Sequence, residues 1–507
     1  LSLRLSILAR SLGTVSGNRA LIINEPLIFE MDRPGLTALR QQQFTETTEA
    51  LPRETLRTKP IGLPGLSEPT VMRHYVKLSQ KNFSLDTGMY PLGSCTMKFN
   101  PRINEAMAHL PGFAEIHPLQ PTSTVQGALQ AMHLLGESLM KITGMGGVCL
   151  SGGAGSHGEL IGLMTIHQAH ICNGQDEKRK VVLVPTSAHG TNPASAATCG
   201  YKIRNVELNP DGTVNLDDLR ANLAKGDVAA FMLTNPSTVG MFEPHCAEMA
   251  QLVHEAGAYF YMDGANFNAI MGRVKPRDLG VDVMHLNLHK SFSTPHGGGG
   301  PGSGPIVMSD ELAQYAPVPK VIRRGTSYNL VEEPDEKCLG RVKGFHGQIG
   351  VCVRGLAYIL AMGEEGLRNV SGDAVLNANY ILARLKNVLS PAYPGRLCMH
   401  ECLFSDEYLK DTGVTTLDMA KALIDEGYHP PTMYFPLVVH GALLVEPSEN
   451  ESRETLDTFC DIMTKLVERV KAGEVDYFKQ APVHAPIRRA DETTAAVEPI
   501  LTYQQGK

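Results

Sequence analysis

Between about residues 124 and 308, short apolar runs alternate with segments whose apolar residues recur every three or four positions. Leu129, Met132, Leu135, Leu139 and Ile142 predict an amphipathic helix over Thr124–Thr143. The runs Val148–Leu150, Val181–Val184, Ala229–Thr234, Tyr259–Met262 and Pro305–Met308 predict buried strands, with helices at Glu159–Ile171, Pro193–Cys199 and Cys246–Glu255. Val283, His285, Asn287 and His289 alternate with Met284, Leu286 and Leu288, which predicts one more strand, ending at Lys290. This alternation argues for an α/β fold with a mostly parallel sheet covered on both faces. Ligands of such sheets sit outside the carboxyl ends of the strands.

Past residue 350 the pattern changes. Gly350–Met362, Ala374–Leu389, Leu417–Asp425 and Glu454–Val470 read as helices, with shorter strand-like pieces such as Leu437–Val445. A smaller C-terminal α+β domain is expected there. Pro and Gly punctuate residues 26–123, which read as an irregular arm. The expected organisation is an extension over 1–25, the arm over 26–123, a large domain over 124–349, the small domain over 350–480 and a tail over 481–507.

The chemistry gathers at the ends of the predicted strands. Lys290 has histidines on either side and six glycines after it, in a loop that lets backbone approach a ligand closely. A lysine held there is suited to act as an amine nucleophile, and pyridoxal phosphate (PLP) is the cofactor that most often uses one. A PLP site also needs an anion cradle, which Ser151–Ser156 offers by opening a helix: Gly155, Ser156 and His157 stand at its N-terminus. It needs a carboxylate for the ring nitrogen, and Asp263 directly follows a strand, with Asn266 placed to bond the phenolic oxygen. It needs a flat group for the ring face, for which His189 is the candidate. Singly, these residues read as a surface lysine, an ordinary Gly turn, a helix cap and a solvated histidine. Their joint order is what points to PLP. A residue for a substrate carboxylate is not fixed by spacing; His296, Arg323, Arg324 and Arg341 are candidates.

Composition narrows the setting. The 507 residues carry a net charge of -7 with no basic stripe, which argues against nucleic acid. No apolar run approaches the roughly 20 residues that cross a membrane. Ten cysteines are scattered without a disulfide framework, and none lies on an evident loop near Lys290. The pair in Cys398-Met-His400-Glu-Cys402 has no second pair nearby, so no metal is expected. Leu1–Asn24 is Arg- and Ser-rich and acid-free. It reads as an unselected extension with a cytoplasmic location, the alternative being a transit peptide and the mitochondrial matrix.

The segments SAHGTNPASA (Ser187–Ala196), YMDGANFNA (Tyr261–Ala269), HLNLHKSFSTPHGGGGPGSGP (His285–Pro305) and YPLGSCTMKFNPRIN (Tyr90–Asn104) resemble the decarboxylating glycine dehydrogenases, the P-proteins of the glycine cleavage system. The resemblance runs from about Pro26 to the C-terminus. It implies a fold-type-I PLP enzyme with Lys290 as Schiff-base lysine, Asp263 as pyridinium partner and His189 as stacking residue. Cofactor contacts would also come from Asn266, His289 and the cradle, where the departures around SGGAGSHGE make backbone contacts the expectation. Single-chain members fuse two homologous halves, and this length is similar to the PLP-carrying half, subunit 2 of the split form. The implied partners are subunit 1 in an α2β2 assembly, glycine, and the lipoyl arm of H-protein, which would receive the aminomethyl group. Competing readings are another fold-type-I enzyme, an aminotransferase or cysteine desulfurase, and a non-catalytic structural subunit.

Overall fold

The computed structural model describes residues 24–38, 52–59, 61–296, 302–485 and 488–503. Residues 1–23 of the expected extension, and 297–301 of the glycine-rich loop, lie outside these. The chain divides into two compact units. One comprises residues up to Gly88, Lys421–Tyr428 and Val475 onward; the other spans Met89–Ala420 and His429–Glu474. In the first, Glu25 accepts from Lys77 at 2.9 Å and lies 3.1 Å from His74, both on the helix Glu68–Ser79. Asp425 accepts the backbone N–H groups of Val483 and His484.

The second unit is built on a seven-stranded sheet. Its strands are β1 (Gly147–Cys149), β2 (Val181–Pro185), β3 (Lys202–Val206), β4 (Val228–Thr234), β5 (Tyr259–Gly264), β6 (Val283–Leu286) and β7 (Ile306–Met308). They lie in the order β1-β7-β6-β5-β4-β2-β3, with β7 antiparallel to both neighbours and the other six parallel to one another. Every residue of β4 is buried, as its unbroken apolar run requires of a central parallel strand. Helices Gln126–Thr143 and Cys246–Glu255 pack their apolar residues into one core cluster, and helix Gly155–Cys172 packs Ile161, Leu163 and Ile166 into another. Among the described residues no helix is long and apolar enough to cross a membrane.

The strand expected to end at Lys290 stops short. Pairing of β6 ends at Leu286, and the chain turns at once into one helical turn, Leu288–Ser291. The Lys290 and Ser291 N–H groups both donate to the Asn287 carbonyl, at 2.9 and 3.1 Å. Lys290 therefore sits on a helical turn just past the strand.

A two-stranded hairpin, β8 (Lys320–Arg324) and β9 (Ser327–Val331), follows the large sheet. The first two of the four helices expected after residue 350 fall in one element, Ile349–Leu385, interrupted at Gly363, whose φ of 64° only glycine adopts readily. A four-stranded antiparallel sheet completes the unit: β10 (Ser390–Pro391), β11 (Cys402–Ser405), β12 (Thr432–Met433) and β13 (Leu443–Val445), in the order β10-β11-β13-β12. Of the strand-like run Leu437–Val445, only the last three residues pair.

Candidate active site

Six parallel strands bring their carboxyl ends to one sheet edge, and there the chain forms a cavity of about 240 Å³. Gly155 and Ser156 reach it from the start of the helix after β1, and His189 from the loop after β2. Asp263 in β5 lines it with Asn266 just beyond, and His289 and Lys290 line it from the turn after β6. Among its described lining residues His157 is absent; its Nδ1 accepts the Gly153 N–H at 3.2 Å instead.

Asp263 is buried and held at several points. Oδ2 accepts the Asn192 amide at 2.9 Å, and Oδ1 accepts the Ala265 N–H at 2.8 Å. Oδ1 also lies 3.2 Å from His285 Nε2, whose Nδ1 is 2.9 Å from the Tyr261 hydroxyl. Burial pushes the carboxyl up, but His285 and the two hydrogen bonds outweigh it and hold Asp263 below the ordinary carboxylate range. Neighbouring Glu159 goes the other way: burial, then the Asp263 charge, raise it. The two acids are driven apart, and Asp263 keeps the negative charge.

The lysine amine donates to the Ser94 carbonyl at 2.7 Å. His289 packs edge-on against His296, with ring centroids 4.9 Å apart. Burial first, then nearby positive groups, press His289 to about 3 and His296 to about 4, so both are neutral near pH 7. His189 is exposed toward the opening. Its Nδ1 accepts the Thr191 N–H at 3.2 Å and its ring meets the edge of Phe435. Asn266 reaches the cavity but directs its amide nitrogen to the Pro236 carbonyl at 3.0 Å.

The residues present fit a phosphate-bearing aromatic aldehyde. The cradle backbone closes tightly against the next loop: a Cβ on Gly155 would lie 2.7 Å from Asn287 Oδ1, and one on Gly304 would lie 1.9 Å from the Ala154 carbonyl oxygen. Glycine is required at both by close approach. Asn287 Oδ1 and Thr234 Oγ1 are buried without a protein partner on residues that line the cavity.

Of the candidates for a substrate carboxylate, none is among the described lining residues: His296 lies behind the lining against His289, and Arg323, Arg324 and Arg341 are absent from the lining. Arg323 bonds the Gly325 carbonyl within the β8–β9 hairpin and Arg341 pairs with Glu332. The turn Ser94–Thr96 is a component that no periodicity indicates. It also corrects the expectation about cysteines, because Cys95 lies in that turn, close enough to Lys290 to feel its charge. Burial pushes the Cys95 thiol up, the reverse of what a nucleophilic cysteine needs.

With the geometry in place, comparison with known proteins decides the family. Residues 159–312 match the model for aminotransferase class-V and residues 370–487 that for the glycine dehydrogenase C-terminal domain. A probable glycine dehydrogenase (decarboxylating) subunit 2 of Caulobacter vibrioides is 56% identical over 97% of this chain and 94% of its own length. The chain belongs to the glycine dehydrogenase (decarboxylating) subunit 2 family. A second subunit 2 relative, from Caldanaerobacter subterraneus, is 49% identical over 94% of this chain and 98% of its own. In fold, the chain resembles a crystal structure of glycine decarboxylase (P-protein), with TM-score 0.69 at 21% identity over 82% of this chain and 94% of that one. An apo cysteine desulfurase from Thermococcus onnurineus also resembles it, with TM-score 0.59 at 16% identity over 76% of this chain and 95% of that one. The architecture is that of the fold-type-I PLP enzymes.

Proposed function

We infer that this chain binds PLP through Lys290 and decarboxylates glycine, passing the aminomethyl group to the lipoyl arm of a partner protein, with a subunit 1 completing the enzyme. The observation that carries this reading is the convergence of Lys290, Asp263 and His189 on one cavity, in a chain whose relatives at 49–56% identity are named for the activity. PLP, when bound, supplies an electron sink for the bond that loses carbon dioxide.

The protein's own groups do the rest. Asp263, held as a carboxylate by His285 and Asn192, keeps a negative charge where the ring nitrogen would stand. The N-terminus of the helix Gly155–Cys172 presents backbone N–H groups toward the cavity for a phosphate. Lys290 offers its amine within hydrogen-bond reach of a carbonyl that can hold it when it is displaced. His189, His289 and His296 all lie close enough to Lys290 to feel its charge, and the last two stay neutral near pH 7, so they serve as hydrogen-bonding groups and not as bases. The thiol of Cys95, raised by burial, weighs against the desulfurase alternative.

The test is exchange of labelled bicarbonate into the glycine carboxyl by the chain with its partner subunit and lipoylated acceptor. Exchange is expected in the wild type and should fall to background in Lys290→Ala. A Lys290→Ala protein that still exchanges label defeats the reading, and formation of a keto acid from glycine would favour an aminotransferase.

A further inference from the structure

Beside Lys290, at the margin of the four-stranded sheet, two acids face one another. β11 and β13 pair antiparallel with Cys402 opposite Val445, so one step along the register Glu401 stands opposite Glu446. Opposed residues on paired strands point to the same face, with Cβ atoms about 4.5–5.5 Å apart. Both acids are buried, and His400, also buried, joins them: one side-chain atom from each of the three lies within 4.8 Å of the others. Two buried carboxyl groups placed this way cannot both ionise without a large cost, from burial first and then from their mutual repulsion, so one of them stays protonated.

Each acid also holds backbone. Glu401 Oε2 accepts the Ser94 N–H at 2.8 Å, and Glu446 Oε2 accepts the Thr96 N–H at 2.9 Å. The turn they hold is strained, with φ of 65° at Ser94 and 46° at Thr96; the second is a conformation that a β-branched residue rarely adopts. The carbonyl of Ser94 is the acceptor for the Lys290 amine.

We propose that Glu401 and Glu446 are positioning residues for Lys290: the opposed pair clamps the left-handed Ser94–Thr96 turn, keeps the Ser94 carbonyl on the amine, and places one negative charge beside it. The proposal rests on Lys290 being the PLP lysine. The titratable groups that face the pair are Lys290, Cys95, His400, Glu449 and the thiols of Cys398 and Cys402, which burial raises and so keeps neutral. Glu449 is neutralised by Lys98 at 3.0 Å, and burial presses His400 to about 3, leaving it neutral. Lys290 is then the cation that the pair's charge meets.

A pair that carries a single charge gives an unusual signature. In Glu401→Gln, Glu446 keeps the Thr96 hydrogen bond and the Lys290 charge that oppose its burial, and in Glu446→Gln, Glu401 is freed of the repulsion from Glu446, so each single variant retains one acid to carry the charge. The double variant has none. Full-length protein is loaded with PLP alone, and the pH midpoint of its visible band is followed. The single variants should keep the wild-type midpoint within a few tenths of a unit. The double variant should titrate about 1–3 units lower, because an opposite charge beside the protonated nitrogen is gone. Single shifts that add up to the double shift, or a double variant with the wild-type midpoint, would overturn the proposal. Hydrogen exchange across residues 92–98 in PLP-free protein tests the clamp separately. Glu401→Ala and Glu446→Ala should speed it at least tenfold while the Gln variants, which keep an acceptor oxygen, do not; unchanged exchange in the Ala variants refutes the clamp. A wild-type chain that takes up PLP as well as Lys290→Ala does would defeat the lysine assignment instead, and the exchange result would still decide the clamp.

Discussion

Asp263 shows how one side chain can be read two ways until its surroundings are known. An aspartate after a strand is most often a turn former or cap. Here burial would neutralise it, and His285, Asn192 and the Ala265 N–H reverse that outcome. Replacing it by Asn keeps the shape and removes the charge. Losing an opposite charge at that distance lowers the pKa of a ring nitrogen by about 1–3 units, so the protonated fraction falls roughly ten- to a thousandfold. The expected outcome for Asp263→Asn is PLP uptake with glycine–bicarbonate exchange reduced by a factor in that range, measured at fixed pH with saturating PLP. His289 and His296 carry a second residue-scale prediction, this time about stability. Their folded values, about 3 and 4, lie below the ordinary 6.5, so the unfolded chain binds more protons as the pH drops through 6.5. The stability they provide is complete above about pH 6.5 and is lost progressively as the pH falls toward 4. Urea unfolding of PLP-free protein at pH 7.5 and 5.0 should show a decline. The His289→Gln/His296→Gln variant should show a decline smaller by about 1 kcal/mol or more.

At the scale of elements, the turn that carries Lys290 is pinned from behind by a second lysine. Lys98 is fully buried, pairs with Glu449 at 3.0 Å, and donates to Asn268 Oδ1 and the Ser291 carbonyl, both at 2.9 Å. Burial alone would lower its pKa, but Glu449 outweighs burial and keeps it charged. Lys98→Met would strand Glu449 in the interior, at a cost of about 3–5 kcal/mol. The urea midpoint should fall accordingly, and Lys98→Met with Glu449→Gln should cost less than the sum of the two single changes. Nothing in the sequence marks Lys98 as different from a surface lysine, because its partners come from residues 170 to 351 positions away. The same limit hid Glu401 and Glu446, which meet the Ser94–Thr96 turn only through sheet pairing. By contrast, β4 and β5 were legible because central parallel strands must be apolar throughout. The edge strand β3 was missed for the opposite reason, its residues being largely exposed and polar. The alternation through His289 misled about where β6 ends, since four residues of a helical turn leave too short a record for a period to appear.

At the scale of the molecule, the described residues that line the cavity all fall within the unit Met89–Ala420 and His429–Glu474. Lys290, Asp263, the helix start at Gly155–Ser156 and His189, the groups proposed for the cofactor, are brought together by one sheet, whose six parallel strands share an edge. If the groups proposed for PLP are sufficient to hold it, this chain should take up the cofactor by itself. Glycine turnover is a different matter, because an acceptor arm must be admitted and the family name describes this chain as one subunit of two. The two steps should come apart on purification. The chain alone, given PLP, should develop a visible band at one equivalent per chain, and borohydride should fix the label on the peptide containing Lys290. Glycine–bicarbonate exchange should remain at least tenfold below that of the chain mixed with its partner subunit and lipoylated acceptor. If the band appears only when the partner is added, part of the cofactor site must come from the partner, and the lining described here would be incomplete. If exchange is as fast without the partner as with it, the second subunit has no part in opening or shaping the site, and its role lies elsewhere in the assembly.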